Sequence, residues 1–197
     1  MIIKLIQFQD KTKNRQKDRI NIMSNSNANK IQKKEILLNE VYQLAFDFEK
    51  EHHCCSQCTV AALQEVFHIK SEELFSTSFA LGGGLANTCE GTCGALAGGA
   101  MVIGYFYGRR HEEFFKGIPN KKANYLTKEL YDRFVQEYGS CLCKDVQKKI
   151  FGRSFNFWDE KEKKLFEKSG GHIDKCPSVV AKGAKWTAEI IWGEIGK

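Results

Sequence analysis

The chain has 197 residues, 42% of them hydrophobic and 12% aromatic, the composition of a globular domain rather than of a disordered chain. Its net charge of +6 is unevenly spread: residues 1–34 hold nine Lys/Arg against two Asp, whereas the other 163 residues hold 21 basic and 22 acidic groups. A nucleic-acid-binding domain needs its basic face on the folded body, so this distribution argues against nucleic acid as a partner.

Residues 1–34 carry no apolar periodicity and read as a basic, disordered tail. The opening Ile2-Ile3-Lys4-Leu5-Ile6 patch is shorter than the roughly 7–15 apolar residues of a secretory signal and too short for a strong surface anchor. Met23, followed by Ser24-Asn25-Ser26-Asn27, offers an alternative start. Residues 35–197 then form one cysteine-rich domain. Eight cysteines without an export signal imply a reducing compartment, the cytoplasm, where such residues bind metal or cycle redox states more often than they staple a fold.

Only two prolines, Pro119 and Pro177, interrupt the chain. Leu37, Val41, Leu44 and Phe48 recur at helical spacing and predict a first amphipathic helix over 35–51. After His52-His53 a second helix is expected over 57–68. Ser71-Glu72-Glu73 is a cap followed by an acidic first turn and opens a third helix through Leu81, which Gly82-Gly83-Gly84 ends. A long apolar helix over 93–115 follows, then helices over 124–138, 144–151, 159–168 and 177–195. No stretch alternates with period two, so the fold class is all-α: a compact multi-helix bundle around a central Gly/Ala-rich helix. Gly91–Gly108 holds 18 uncharged residues, the threshold for a membrane span. Six of them are glycine, and every neighbouring helix has an apolar face needing a partner, so the reading is a buried helix and no integral membrane segment. Gly94 and Gly98 share one helical face, which lets a second backbone or a bulky cofactor approach closely.

Four cysteines fall at expected helix starts. Cys58 follows Ser56, Cys93 follows Thr92, Cys143 precedes Lys144, and Cys176 precedes Pro177, a residue favoured at the first helical position. Unpaired N–H groups and the helix dipole favour a thiolate there, so these pKa values are expected to fall from about 8.5 toward neutrality. The thiolate serves as nucleophile and as metal ligand alike. The remaining cysteines, Cys54, Cys55, Cys89 and Cys141, lie near the first three and are additional ligands, resolving thiols or incidental. Cys55-Ser56-Gln57-Cys58 has C-x-x-C spacing but no thioredoxin-like βαβ context. His52 and His53 either complete a mixed ligand set or are exposed polar residues at a helix end; His111 and His172 have no spacing argument.

The run Thr92-Cys93-Gly94-Ala95-Leu96-Ala97-Gly98, with Gln57-Cys58, Gly82-Gly83-Gly84, Tyr138-Gly139-Ser140-Cys141-Leu142-Cys143 and Lys175-Cys176-Pro177, resembles the C-GCAxxG-C-C family of redox-active proteins over about residues 35–195. Cys93–Gly98 fits the family's CGAxxG signature in full. The resemblance implies redox activity and a relation to the iron–sulfur-binding region of split-Soret cytochromes, hence an iron–sulfur cluster on Cys58, Cys93, Cys143 and Cys176. No C-x-x-C-H occurs, so covalent haem is not implied. Two alternatives stay open for the same residues: a metal-free thiol–disulfide protein and a Zn²⁺ or Cu⁺ thiolate site. No acid–base pocket is readable, so any enzyme activity would be of oxidoreductase type. The expected partner is an electron donor or acceptor protein, and a homodimer is compatible with the reading.

Overall fold

The computed structural model describes residues 27–195. Its helices are α1 (Asn27–His52), α2 (Cys55–Val66), α3 (Glu72–Ser78), α4 (Gly94–Tyr107), α5 (His111–Phe115), α6 (Lys122–Tyr138), α7 (Cys143–Phe151), α8 (Glu160–Lys168) and α9 (Cys176–Glu194). A 3₁₀ turn (Phe79–Leu81) extends α3, and a π-helical turn (Gly171–Lys175) leads into α9. Among the described residues the one β-type pairing is an isolated bridge between Thr92 and Leu142, so the all-α expectation holds.

Local chemistry accounts for the ends. The Ser71 hydroxyl accepts the Leu74 N–H at 3.2 Å, and the Asp159 carboxylate accepts the N–H groups of Lys161 and Glu162; both satisfy donors left over by the first helical turn. Gly139 and Gly152 close α6 and α7 with positive φ, the conformation glycine supplies at least cost.

Two boundaries differ most from the sequence reading. The first helix starts at Asn27 rather than Glu35, so residues 27–34, read as tail, are helical. Lys34 is held there by an ion pair to Glu189 of α9 at 2.7 Å, and Glu189 also pairs with Arg133 of α6 at 2.9 Å. The tail expectation for residues 1–26 and the Met23 start lie outside the described residues. The expected 93–115 helix is two helices: Gly108 turns the backbone extended (φ −67°, ψ 156°), and α5 restarts with the Glu113 carboxylate accepting the Arg110 N–H at 2.7 Å. A run of apolar and aromatic residues conceals such a break, because periodicity continues while glycine withdraws helix propensity.

The central position of α4 is confirmed. Gly94, Ala95, Leu96, Gly98, Gly99, Val102 and Ile103 are buried. On one side α4 lies against α2, where a Cβ added to Gly98 would stand 2.6 Å from the Ser56 carbonyl oxygen and 3.0 Å from Thr59 Cβ. On another it meets α9 and α6: a Cβ on Gly99 would stand 2.3 Å from Thr187 Oγ1 and 2.8 Å from Leu130 Cδ2. α9 reciprocates with Gly183, pressed between Ala95 and Phe134. α9 also packs on α1 and α2. Fully buried Leu63, Ile103, Leu130, Phe134 and Ile191 fill the space between these helices. No helix among the described residues is long and apolar enough to cross a membrane.

The packing sets a sharp contrast between two glycines of one helix. Gly98→Ala forces a methyl into the α2 backbone and is expected to destabilise by about 1–3 kcal/mol. Gly104 has nothing within 4 Å of an added Cβ, so Gly104→Ala is expected to stabilise by up to about 1 kcal/mol through helix propensity. Urea unfolding of both variants checks the pair.

Candidate functional site

The start of α2 is set by an unusual corner. His53 and Cys54 both adopt positive φ (61° and 63°), a conformation L-residues disfavour, and this reverses the chain after α1 so that Cys55 is the first helical residue. Cys58 therefore sits a full turn inside α2, not at its start. Ser56, expected as the cap, instead donates its hydroxyl to the Ser78 carbonyl at 2.7 Å, tying α2 to α3.

A partly open cavity of about 60 Å³ is lined by Cys54, Cys55, Cys93, Cys143 and Cys176, with Glu49 and His172 among the other walls. Cys55, Cys143 and Cys176 are the first residues of α2, α7 and α9, and Cys93 caps α4. Four helices thus begin at this cavity. The structure brings together three of the four cysteines singled out in the sequence, and Cys55 stands where Cys58 was expected. The Cys58 thiol does not line the cavity; it donates to the His53 carbonyl at 2.6 Å. All eight cysteines are free thiols.

Gly94 explains how Cys55 gains its place: a Cβ there would lie 2.2 Å from the Cys55 sulfur and 3.0 Å from the Ser56 nitrogen. Both glycines of the sequence signature therefore admit α2, Gly94 its Cys55 side chain and Gly98 its backbone. Gly98 serves helix packing and does not meet the cavity.

The loop between the 3₁₀ turn and α4 closes another wall. Gly83, Gly84, Leu85, Ala86 and Asn87 have φ between 48° and 71°, and Cys89 has 62°. Each non-glycine residue held this way costs about 1–2 kcal/mol, and such strain gathers at functional sites. The cost is offset by a dense set of loop hydrogen bonds, including Asn87 N–H to Gly82 and Cys89 N–H to Gly83 carbonyls, at 3.0 and 2.8 Å. The Gly83 N–H points at the Cys55 sulfur at 3.5 Å. Glycine is required at position 84, where φ is +71° and a Cβ would lie 2.7 Å from Cys143 Cβ. The carbonyls of Cys89 and Gly91 accept the N–H groups of Lys144 and Cys143, both at 2.9 Å, which docks α7 on the loop.

Cys89 and Cys141 stand behind the cavity wall. Cys89 is buried, donates to the Phe155 carbonyl at 3.4 Å, and shares the Gln147 amide with Cys143, at 3.3 and 3.5 Å respectively. Cys141 contributes its carbonyl, which accepts the Cys93 N–H at 2.8 Å.

The expected fall of thiol pKa is not found. Burial pushes Cys55, Cys143 and Cys176 well above the ordinary value, with the Cys89 hydrogen bond the first cause at Cys143. It lifts Cys93 to about 11, although the Ala95 and Leu96 N–H groups pull the other way. Cys58 is also raised by burial. Taking a charge out of water costs more than a helix end returns, so the helix-start argument named three of its four places and misjudged the electrostatics. Cys89 is lowered, first by its hydrogen bond from Cys143 and further by Gln147, against the opposing effect of burial.

Two groups escaped the sequence reading. Glu49, on α1, is 2% exposed and lines the cavity. Burial pushes its pKa up to about 8, and its Oε2 has no hydrogen-bond partner. Its position on the apolar side of α1, one residue after Phe48, was the available signal. His172 lies in the π-helical turn, between Glu167 (Nδ1 to Oε1, 2.7 Å) and Glu49 (Nε2 to Oε1, 3.9 Å). No local pattern announces it.

An all-helical fold that gathers thiols from four helix starts defines the class: a cysteine-rich redox protein. The chain belongs to the C_GCAxxG_C_C family, described as "Putative redox-active protein", whose model matches residues 53–190. No curated protein and no solved structure matches the chain.

The Glu49 carboxyl gives the metal-free protein a signed pH dependence. A carboxyl raised from 4.5 to about 8 is proton-bound in the fold where the unfolded chain has lost its proton, so its contribution falls as pH rises through that window. Glu49→Gln removes this term. The stability of the variant relative to wild type is expected to improve from pH 4.5 to 8, at a slope approaching about 1.4 kcal/mol per pH unit, and to be flat below 4.5. Urea unfolding across pH measures it.

Proposed function

We propose that the protein is an electron-transfer or redox-sensing protein that holds an iron–sulfur cluster on Cys55, Cys93, Cys143 and Cys176. The observation that carries this reading is the convergence of four helix-start cysteines, 38, 50 and 33 residues apart in sequence, on one cavity. The positive ends of four helix dipoles favour an anionic group in that space, and a cluster ligated by four thiolates is anionic. The donor set is all sulfur, which iron–sulfur clusters take.

Spacing disfavours a single ion held by the cysteines alone. Among the described residues the one group of three His, Cys, Asp or Glu ligand atoms lying within 4.8 Å of one another is His53–Glu167–His172, so no three cysteine sulfurs are that close. A lone tetrahedral ion with bonds of about 2.3 Å needs sulfurs about 3.8 Å apart; a cluster spreads its ligand sulfurs to about 6–7 Å. The bound cluster would accept and return an electron. The chain's own part is to surrender four thiol protons on ligation, to supply the Gly83 N–H toward the Cys55 sulfur, and to exclude water with the strained loop and α7. Buried neutral thiols lose those protons only to a cation, so cluster affinity rises with pH.

One observation favours a second reading. Cys89 and Cys143 are hydrogen-bonded thiols, and Cys89 has the lowered pKa. As a dithiol they would form one S–S bond while losing two protons and giving two electrons to an external acceptor.

Anaerobic isolation with iron, sulfide and zinc analysis separates these outcomes. The expected result is iron with acid-labile sulfide and a broad visible absorption. It is expected to be lost in Cys55→Ser, Cys93→Ser, Cys143→Ser and Cys176→Ser and kept in Cys58→Ser and Cys141→Ser, with circular dichroism confirming the fold of each. Iron-free protein that forms a Cys89–Cys143 disulfide on oxidation overturns the cluster reading in favour of the dithiol. Loss of iron in Cys58→Ser with retention in Cys55→Ser overturns the ligand set.

A further inference from the structure

Beside the thiol cavity, three groups from separate elements meet. His53 belongs to the corner between α1 and α2, Glu167 to the last turn of α8, and His172 to the π-helical turn before α9. Their ligand atoms all lie within 4.8 Å of one another, and the two imidazole rings are 3.8 Å apart between centroids at 68°. We propose that His53, His172 and Glu167 form a binding site for a divalent first-row transition-metal ion, distinct from the cysteine site.

The donor set fits such an ion. Two imidazoles and one carboxylate suit zinc, iron(II), nickel or copper(II) rather than calcium or magnesium. His172 turns Nδ1 to Glu167 at 2.7 Å and Nε2 to Glu49 at 3.9 Å. With the ion on the Nδ1 side, the ring proton resides on Nε2, on the side of Glu49, whose Oε1 lies 3.9 Å away.

Local backbone serves the same end. His53 is presented by a positive φ of 61°, and π-helical turns such as the one bearing His172 concentrate at functional positions. Three protein ligands leave a coordination position open, and all three line a cavity of about 650 Å³ whose other walls include Phe79, Phe157 and Trp158. Water or an oxygen-donor ligand entering from that cavity would complete the coordination. The ion would also clasp the α1–α2 corner to the α8–α9 turn, next to Cys54, which lines both cavities.

The experiment is a Co²⁺ titration of the full chain under anaerobic, reducing conditions. Cobalt on nitrogen and oxygen ligands gives only weak visible bands, whereas thiolate ligation adds an intense near-ultraviolet charge-transfer band. The expected result is one equivalent bound without the charge-transfer band and displaced by Zn²⁺. Glu167→Gln and His53→Asn are expected to weaken it by roughly tenfold or more, a loss of at least about 1.4 kcal/mol. Both residues are exposed, so the variants keep the fold, which circular dichroism verifies. Cobalt bound solely with the thiolate band, or an affinity that both variants leave unchanged, overturns the site. The cysteine reading has its own readout in iron and sulfide content and can fail independently.

Discussion

The close approach of α2 to α4 governs the rest of the molecule. At Gly94 and Gly98 no side chain separates the two helices, and the atoms of Cys55, Ser56 and Thr59 fill the space that a Cβ would need. That contact brings the first residue of α2 beside the cap of α4. It also makes α4 the buried axis against which α9 and α6 are laid, through Gly99 and Gly183. Dispersion and apolar burial hold this arrangement because the interior is close-packed; a methyl at Gly98 would part the helices and carry Cys55 away from Cys93. Packing and chemistry therefore depend on the same pair of glycines.

Around that axis the protein assembles an arrangement that is electrostatically one-sided. Four helices start at one cavity, and the cavity holds sulfur and a carboxyl but no Lys or Arg. The buried thiols remain protonated because desolvation, joined at Cys143 by the Cys89 hydrogen bond as the first cause, outweighs the attraction of the helix ends. In the proposed cluster-bound form the balance would reverse, with a cation in place of the protons and the helix ends stabilising the anionic assembly. The strained loop from Gly83 to Cys89 fits the same logic, since it spends conformational energy to place N–H groups and glycine at the cavity wall.

Beside this lies the His53–Glu167–His172 cluster, joined to the thiol cavity through Cys54, Phe166 and His172. Glu49 links the two, touching the cavity on one side and facing the His172 ring on the other. It also interacts with the Cys58 thiol. This gives Cys58 a role outside the cavity wall: it closes the α1–α2 corner through the His53 carbonyl and helps to seat the buried carboxyl.

The amino-acid sequence by itself determined the helical class, because apolar spacing near 3.6 and the absence of alternation leave no other regular structure for these segments. It also determined α4 as the central helix and the positions of Cys93, Cys143 and Cys176 at helix starts, since caps, Pro177 and glycines act within a turn of where they stand. That Cys55 rather than Cys58 lines the cavity was decided by tertiary structure: two consecutive residues with positive φ shift the start of α2, and no propensity scale anticipates a conformation that surrounding contacts impose. The rise in thiol pKa was likewise invisible, because desolvation depends on what covers a group rather than on its neighbours in sequence. The meeting of His53 with His172, 119 positions apart, was decided by the docking of the α8–α9 turn against the α1–α2 corner. Such a contact has no local signature, for it exists only once the helices between have packed.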